Sequence, residues 1–155
     1  MAFPVYWWII GAVFVMALYL LGHYLCLLED VSQVGLYEID RMTKKDFQHF
    51  CGQLLKRVGY QIQRPQKAKQ WITIILEKEG QRTAVMVRQY AGAVGIRPVE
   101  KAAEGAARNH CARAVVLTNR EFTVEARQLA GQLGVELWDR DKLADLLIVA
   151  RSQGR

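Results

Sequence analysis

Between Phe3 and Leu28 the chain reads FPVYWWIIGAVFVMALYLLGHYLCLL, a nearly unbroken apolar run, after which apolar and polar residues alternate in short periods. A run of this length exceeds the roughly 20 residues a helix needs to cross the hydrocarbon core, which predicts one transmembrane helix over residues 3–28. Residues 29–42 read as a linker, with Val31 to Met42 including a short approach strand. A helix then opens at Thr43, whose side chain suits an N-cap with Asp46 in capping-box position. Phe47, Phe50, Cys51, Leu54, Leu55 and Val58 recur at helical spacing, and Gly59 ends the helix. Tyr60–Gln63 is a predicted strand, Arg64–Gln70 a basic loop, and Trp71–Glu77 and Arg82–Tyr90 the arms of a β-hairpin turning around Gly80. An alanine-rich helix follows from Arg97 to Arg108, with Pro98 tolerated in its first turn. Ala114–Leu117 reads as a buried strand, Thr123–Leu133 as a capped helix stopped by Gly134, Val135–Trp138 as a strand, and Asp141–Ala150 as a last helix. The predicted order over 43–150 is αβββαβαβα, and residues 151–155 read as a frayed tail.

Charge divides the chain between two solvents. Residues 1–28 contain no Asp, Glu, Lys or Arg, so the 21 basic and 15 acidic side chains, net +6, all belong to residues 29–155. With 52% hydrophobic residues the chain is not a disordered one, and the charged part is the size of one ordinary domain. A secretory signal peptide would carry a basic leader and a small-residue cleavage site; here the apolar run ends in Leu27-Leu28-Glu29-Asp30. Tyr6, Trp7 and Trp8 lie near one end of the run and every Lys and Arg lies beyond the other, starting at Arg41. By the positive-inside rule this places the domain on the cytoplasmic side of the inner membrane, as a single-pass protein. His23 reads as an interfacial or helix-contacting residue rather than a proton carrier. The three cysteines, Cys26, Cys51 and Cys111, show neither disulfide nor zinc spacing.

Several stretches together carry a family resemblance. Ile39-Asp40-Arg41-Met42-Thr43-Lys44-Lys45-Asp46-Phe47-Gln48, Gly59-Tyr60, the Tyr90-x-Gly92-x-Val94-Gly95 loop, Val116-Leu117-Thr118-Asn119-x-x-Phe122-Thr123-x-Glu125-Ala126 and Gly134-Val135-x-Leu137-x-Asp139-x-x-x-Leu143 resemble the Mrr-type (type IV) restriction endonuclease domain. The likeness spans about Ile39 to Leu147. It implies the PD-(D/E)xK nuclease fold, an α/β fold with an αβββαβ core and a mixed sheet flanked by helices, in agreement with the order read from periodicity.

What the resemblance implies about chemistry is Mg²⁺-assisted phosphodiester hydrolysis by clustered carboxylates and a lysine. The family's positions, an acid ending IDxMxGxEFE, an Asp opening the strand before the hairpin turn and a Q-x-K on the returning strand, fall on Gln48, Thr73, Met86 and Arg88. All four depart from the family pattern, and the family's glycine in the first segment is Lys44. Asp46 is no substitute for Gln48, lying roughly 200° around the helix from it. Glu77 is about 13 Å along the strand from Thr73 and reads, with Glu79, as part of a solvated turn. Arg88 offers a phosphate fork, not a group that titrates. No catalytic residue and no metal ligand is therefore expected, and Mg²⁺ enters only if the ligands have migrated.

The positive excess over the domain is the footprint of a polyanion partner, DNA or an anionic leaflet, or only a solvating surface. Lys67, Lys69, Arg88, Arg97 and Lys101 are the candidate nucleic-acid contacts. His49 reads as a surface residue, Gly105, Gly131 and Gly134 as packing or capping glycines, and Asn119 as a turn former, with a polar contact near the site as its rival reading. Three functions stay open: a membrane-anchored domain that binds DNA without cutting it, a scaffold within a complex of membrane proteins, and a working Mg²⁺-dependent endonuclease.

Overall fold

The computed structural model describes residues 10–19, 34–65 and 71–153, and divides the chain into two units, Met1–Asp30 and Val31–Arg155. In the first unit, residues 10–19 are helical and expose Ile10, Val13, Phe14, Val15, Met16, Leu18 and Tyr19. Among the described residues no helix is long and apolar enough to cross a membrane. Most of the expected span over residues 3–28 lies outside them, as do Tyr6, Trp7, Trp8, His23, Cys26 and the start of the expected linker.

In the second unit the elements run α1 (Leu36–Arg41), α2 (Lys44–Arg57), β1 (Gln61–Gln63), β2 (Ile74–Lys78), β3 (Gln81–Arg88), α3 (Ile96–Arg108), β4 (Arg113–Thr118), α4 (Val124–Leu133), β5 (Val135–Trp138) and α5 (Arg140–Ser152). The expected order over 43–150 is the observed one. The five strands form one mixed sheet in the order β1-β2-β3-β4-β5, antiparallel from β1 to β3 and parallel from β3 to β5. Two residues, Glu79 and Gly80, close the β2–β3 hairpin, both at positive φ (53° and 75°), as a type I′ turn requires.

Side chains alternate across β3, so that Val85 and Val87 enter one core and Ala84 and Met86 the other. The first core holds Phe47, Phe50, Leu54 and Leu55 of α2 with Leu143, Leu146 and Leu147 of α5. The second holds Val99, Ala102 and Ala106 of α3 with Ala126 and Ala130 of α4. Small residues on α3 let it lie close. A side chain at Gly105 would put its Cβ 2.5 Å from Cγ1 of Ile72, so the segment before β2 docks into the notch that this glycine leaves.

Three sequence expectations need correction. The linker does not extend to residue 42, and its approach strand is a helix: α1 buries Ile39 completely in the first core, and Glu38 accepts a hydrogen bond from the Gly35 amide at 3.0 Å. At six residues it is too short to show a helical period. The last helix starts at Arg140, capped by Asp139, which accepts from the Lys142 amide, and it continues through Ser152, so the tail is shorter than expected. Gly131 is exposed with open space around its Cα and packs against nothing, whereas Gly134 caps α4 at φ 66°.

Candidate functional site

The parallel strands β3, β4 and β5 end together at Arg88, Thr118 and Trp138, and the loops beyond them meet at one rim of the sheet. In open α/β sheets this rim is where ligands bind. A bridge between Val94 and Phe122 ties two of these loops. Asp40, from the end of α1, is clamped there. It accepts from Asn119 Nδ2 at 2.9 Å and from Arg140 Nη1 at 2.9 and 2.8 Å, with Arg120 at 3.9 Å. Burial alone would push the Asp40 carboxyl up, but the bonds from Asn119 and Arg140 and the charges of Arg140 and Arg120 outweigh it and hold the group below its ordinary value. Asn119 also accepts from the Tyr90 amide at 2.9 Å, and Gln89 donates to the carbonyls of Ile39 and Met42. Asn119 is fully buried and its side chain bonds residues 29 and 79 positions away, so the turn-former reading gives way to the polar-contact one.

Gln48 and Thr73 meet at a single residue of backbone, Val87, which Met86 and Arg88 adjoin in the chain. Gln48 Nε2 donates to the Val87 carbonyl at 3.3 Å, and the Thr73 hydroxyl accepts from the Val87 amide at 3.3 Å and faces its carbonyl at 3.4 Å. Met86 and Arg88 flank that residue, Met86 being 2% exposed within the second core. Their atoms comprise an amide, a hydroxyl, a thioether and a guanidinium, of which the first two are engaged with backbone. A hard divalent cation needs several oxygen ligands with carboxylates among them, so this donor set does not fit Mg²⁺. The acids weighed as replacements face elsewhere: Asp46 accepts from the Thr43 hydroxyl, Glu77 from Gln63 on β1, and Glu79 is exposed in the hairpin turn. Glu77 is thus part of a cross-strand contact, not of the solvated turn expected for it. Among the described residues, no three His, Cys, Asp or Glu side chains stand together as a metal would need.

Beside these positions is a feature that sequence reasoning passed over. Trp71, read there only as the first residue of a strand, lies three residues before β2 and is 44% exposed. The Lys101 ammonium sits 3.3 Å from its ring centroid and the Arg88 guanidinium 5.9 Å. Tyr90 is half-buried next to Arg88; burial raises its hydroxyl pKa and the Arg88 charge opposes the shift. Two of the five candidate contacts, Arg88 and Lys101, are brought together by Trp71. Arg97 is exposed in the first turn of α3, and Lys67 and Lys69 lie outside the described residues. An exposed aromatic with two cations over its ring is a pattern visible in sequence only once topology sets residues 71, 88 and 101 side by side.

The family model described as Restriction endonuclease, the Mrr catalytic domain, matches residues 39–147. The chain belongs to this family. Among solved structures, this restriction-endonuclease domain is similar to a protein of unknown function, AF1548, at TM-score 0.56 and 18% identity, covering 68% of this chain and 65% of that one. It is also similar to the DNA modification-dependent restriction endonuclease AspBHI, at TM-score 0.56 and 17% identity over 81% of this chain and 36% of that one. VC1899 from Vibrio cholerae gives TM-score 0.51 at 13% identity, covering 68% and 32% of the two chains. At these identities the likeness is one of fold. The chain spans just under two thirds of the first structure and about a third of the other two. No curated protein matches it.

Proposed function

We propose that this chain is a membrane-anchored restriction-endonuclease domain that binds DNA and does not cut it. The observation that carries the reading is that Gln48 and Thr73 bond to the Val87 peptide, while of its neighbours Met86 is buried in apolar surroundings and Arg88 is a cation. Such a site keeps attraction for phosphate and loses the means to hold a metal. The net charge of +6 and the family's substrate supply the partner, and the charge-free run over residues 3–28 supplies the anchor, with the domain on the cytoplasmic face of the inner membrane.

The test uses the full chain in detergent. DNA affinity should fall linearly with salt on a log–log scale, by a slope of about −0.9 per phosphate neutralised. Supercoiled plasmid should stay intact in Mg²⁺ or Mn²⁺. Nicking that needs the metal, and is lost on changing Glu77 or Asp46, would show that the acids have migrated. Labelling of a cysteine placed at the C-terminus from outside intact cells would refute the topology.

A further inference from the structure

We propose that Trp71 is a stacking platform for an unpaired nucleobase, with Lys101 and Arg88 receiving the phosphates beside it, so that the chain prefers single-stranded nucleic acid to a duplex. This deepens the DNA-binding reading and rests on it. The indole is 44% exposed and has cations from two other elements over its ring, Arg88 at the end of β3 and Lys101 on α3. Its position is fixed from beneath. Ile72, 3% exposed, fills the notch at Gly105, and Gly105 and Lys101 share one face of α3 at i and i+4, so the docking that buries Ile72 also places Trp71 by Lys101. A platform built in advance does not lose affinity to ordering on binding.

The geometry favours an unpaired base for a chemical reason. One isolated ring face is useful only to a base whose own face is free, and paired bases are stacked on their neighbours, whereas aromatic rings interleaved with cations are how proteins follow single strands. The Lys101 ammonium now occupies a ring face. It is on a flexible four-carbon stem, so a base arriving on the indole displaces it toward the phosphate of the same nucleotide, exchanging a surface cation–π contact for stacking plus an ion pair.

The experiment measures anisotropy of fluorescein-labelled oligothymidine and of a hairpin duplex of equal length, titrated with the detergent-solubilised full chain. The single strand should bind more tightly and quench indole fluorescence that is missing in Trp71→Phe. Trp71→Ala should weaken the single strand about 5- to 150-fold, one base's worth of stacking, and leave the duplex within about twofold. Trp71→Phe should restore most of the loss, and Lys101→Gln should lower the salt slope by about one on the single strand. Equal affinity for the two probes with Trp71→Ala silent on both would overturn the platform and leave the polyanion reading standing. Binding of neither probe overturns both. Circular dichroism of each variant verifies that an exposed substitution has left the fold intact.

Discussion

Replacing Asp40 by Asn removes one charge from the rim of the sheet and nearly nothing of its shape. In the wild type the carboxylate receives three hydrogen bonds of 2.8–2.9 Å from Asn119 and Arg140, and faces Arg120. The substitution leaves two guanidinium groups near each other with no anion. Hydrogen bonds to charged groups contribute about 1.5–3 kcal/mol each. Asp40 and Arg140 are 20% and 30% exposed, so solvent screens the pair and the total is discounted to about 2 kcal/mol. For a domain of this size that is a fall in Tm of about 8 °C. The pH dependence separates this account from a packing effect. Because the folded-state pKa of Asp40 lies below its unfolded value, its contribution is fully present above the unfolded value near 3.8 and is lost as pH falls through the folded value. Thermal unfolding of the full chain and of Asp40→Asn, followed by near-UV circular dichroism, should show a constant gap from pH 5 to 8 and a closing one below pH 4. A gap unchanged at pH 3, or absent at pH 7, refutes the reasoning.

Gly105→Ala gains helix propensity but drives its Cβ into Ile72, for a net loss of about 1 kcal/mol that shrinks in an Ile72→Ala background, as a double-mutant cycle would measure. Burial pushes the Cys51 thiol far up, so in a Cys26→Ser, Cys111→Ser chain Cys51 should resist alkylation at pH 8 until denaturant unfolds the domain; rapid native labelling, read by mass, contradicts that burial. Restoring Gln48→Glu, Thr73→Asp, Met86→Gln and Arg88→Lys together should recover Mg²⁺ binding by calorimetry, and any one alone should not, since ligands of one site act as a unit.

The fold was legible because each element carries its own period or punctuation. Five apolar positions of α2 at helical spacing are its five buried residues, and Glu79-Gly80 turns the hairpin where it was expected to. Legibility failed where the organising force is non-local. Six residues of α1 hold their shape because Ile39 is buried and Asp40 is clamped, by partners 79 and 100 positions away in the chain. Of the site, Gln48, Thr73, Met86 and Arg88 were named from residues alone, and the pairing of Ile74 with Val85 sets Thr73 beside the Met86–Arg88 stretch. That Thr73 and Gln48 spend their polar atoms on one peptide could not be read, nor could the pairing of Trp71 with Lys101, because the first depends on how α2 lies on one face of the sheet and the second on how α3 lies on the other.

The same local arrangement shows what neutral side chains at positions 48 and 73 do for the fold. In a metal-free site, carboxylates at positions 48 and 73 would repel each other over an apolar floor, and a glutamine at 86 would place an amide where Met86 is now 2% exposed among apolar side chains. Gln48 and Thr73 instead tie α2 and the start of β2 to the Val87 peptide, across a point where the ladder is out of step: the Thr73 amide donates to Val85, the residue already paired with Ile74. The side chains at 48 and 73 therefore strengthen the joint between helix and hairpin, the direction expected, on the proposed reading, of a site released from the stability cost of activity. It follows that the fourfold restoration should unfold at lower temperature than the wild type in chelator and regain stability as Mg²⁺ is added, whereas a site that had only shifted its ligands would show neither loss nor recovery.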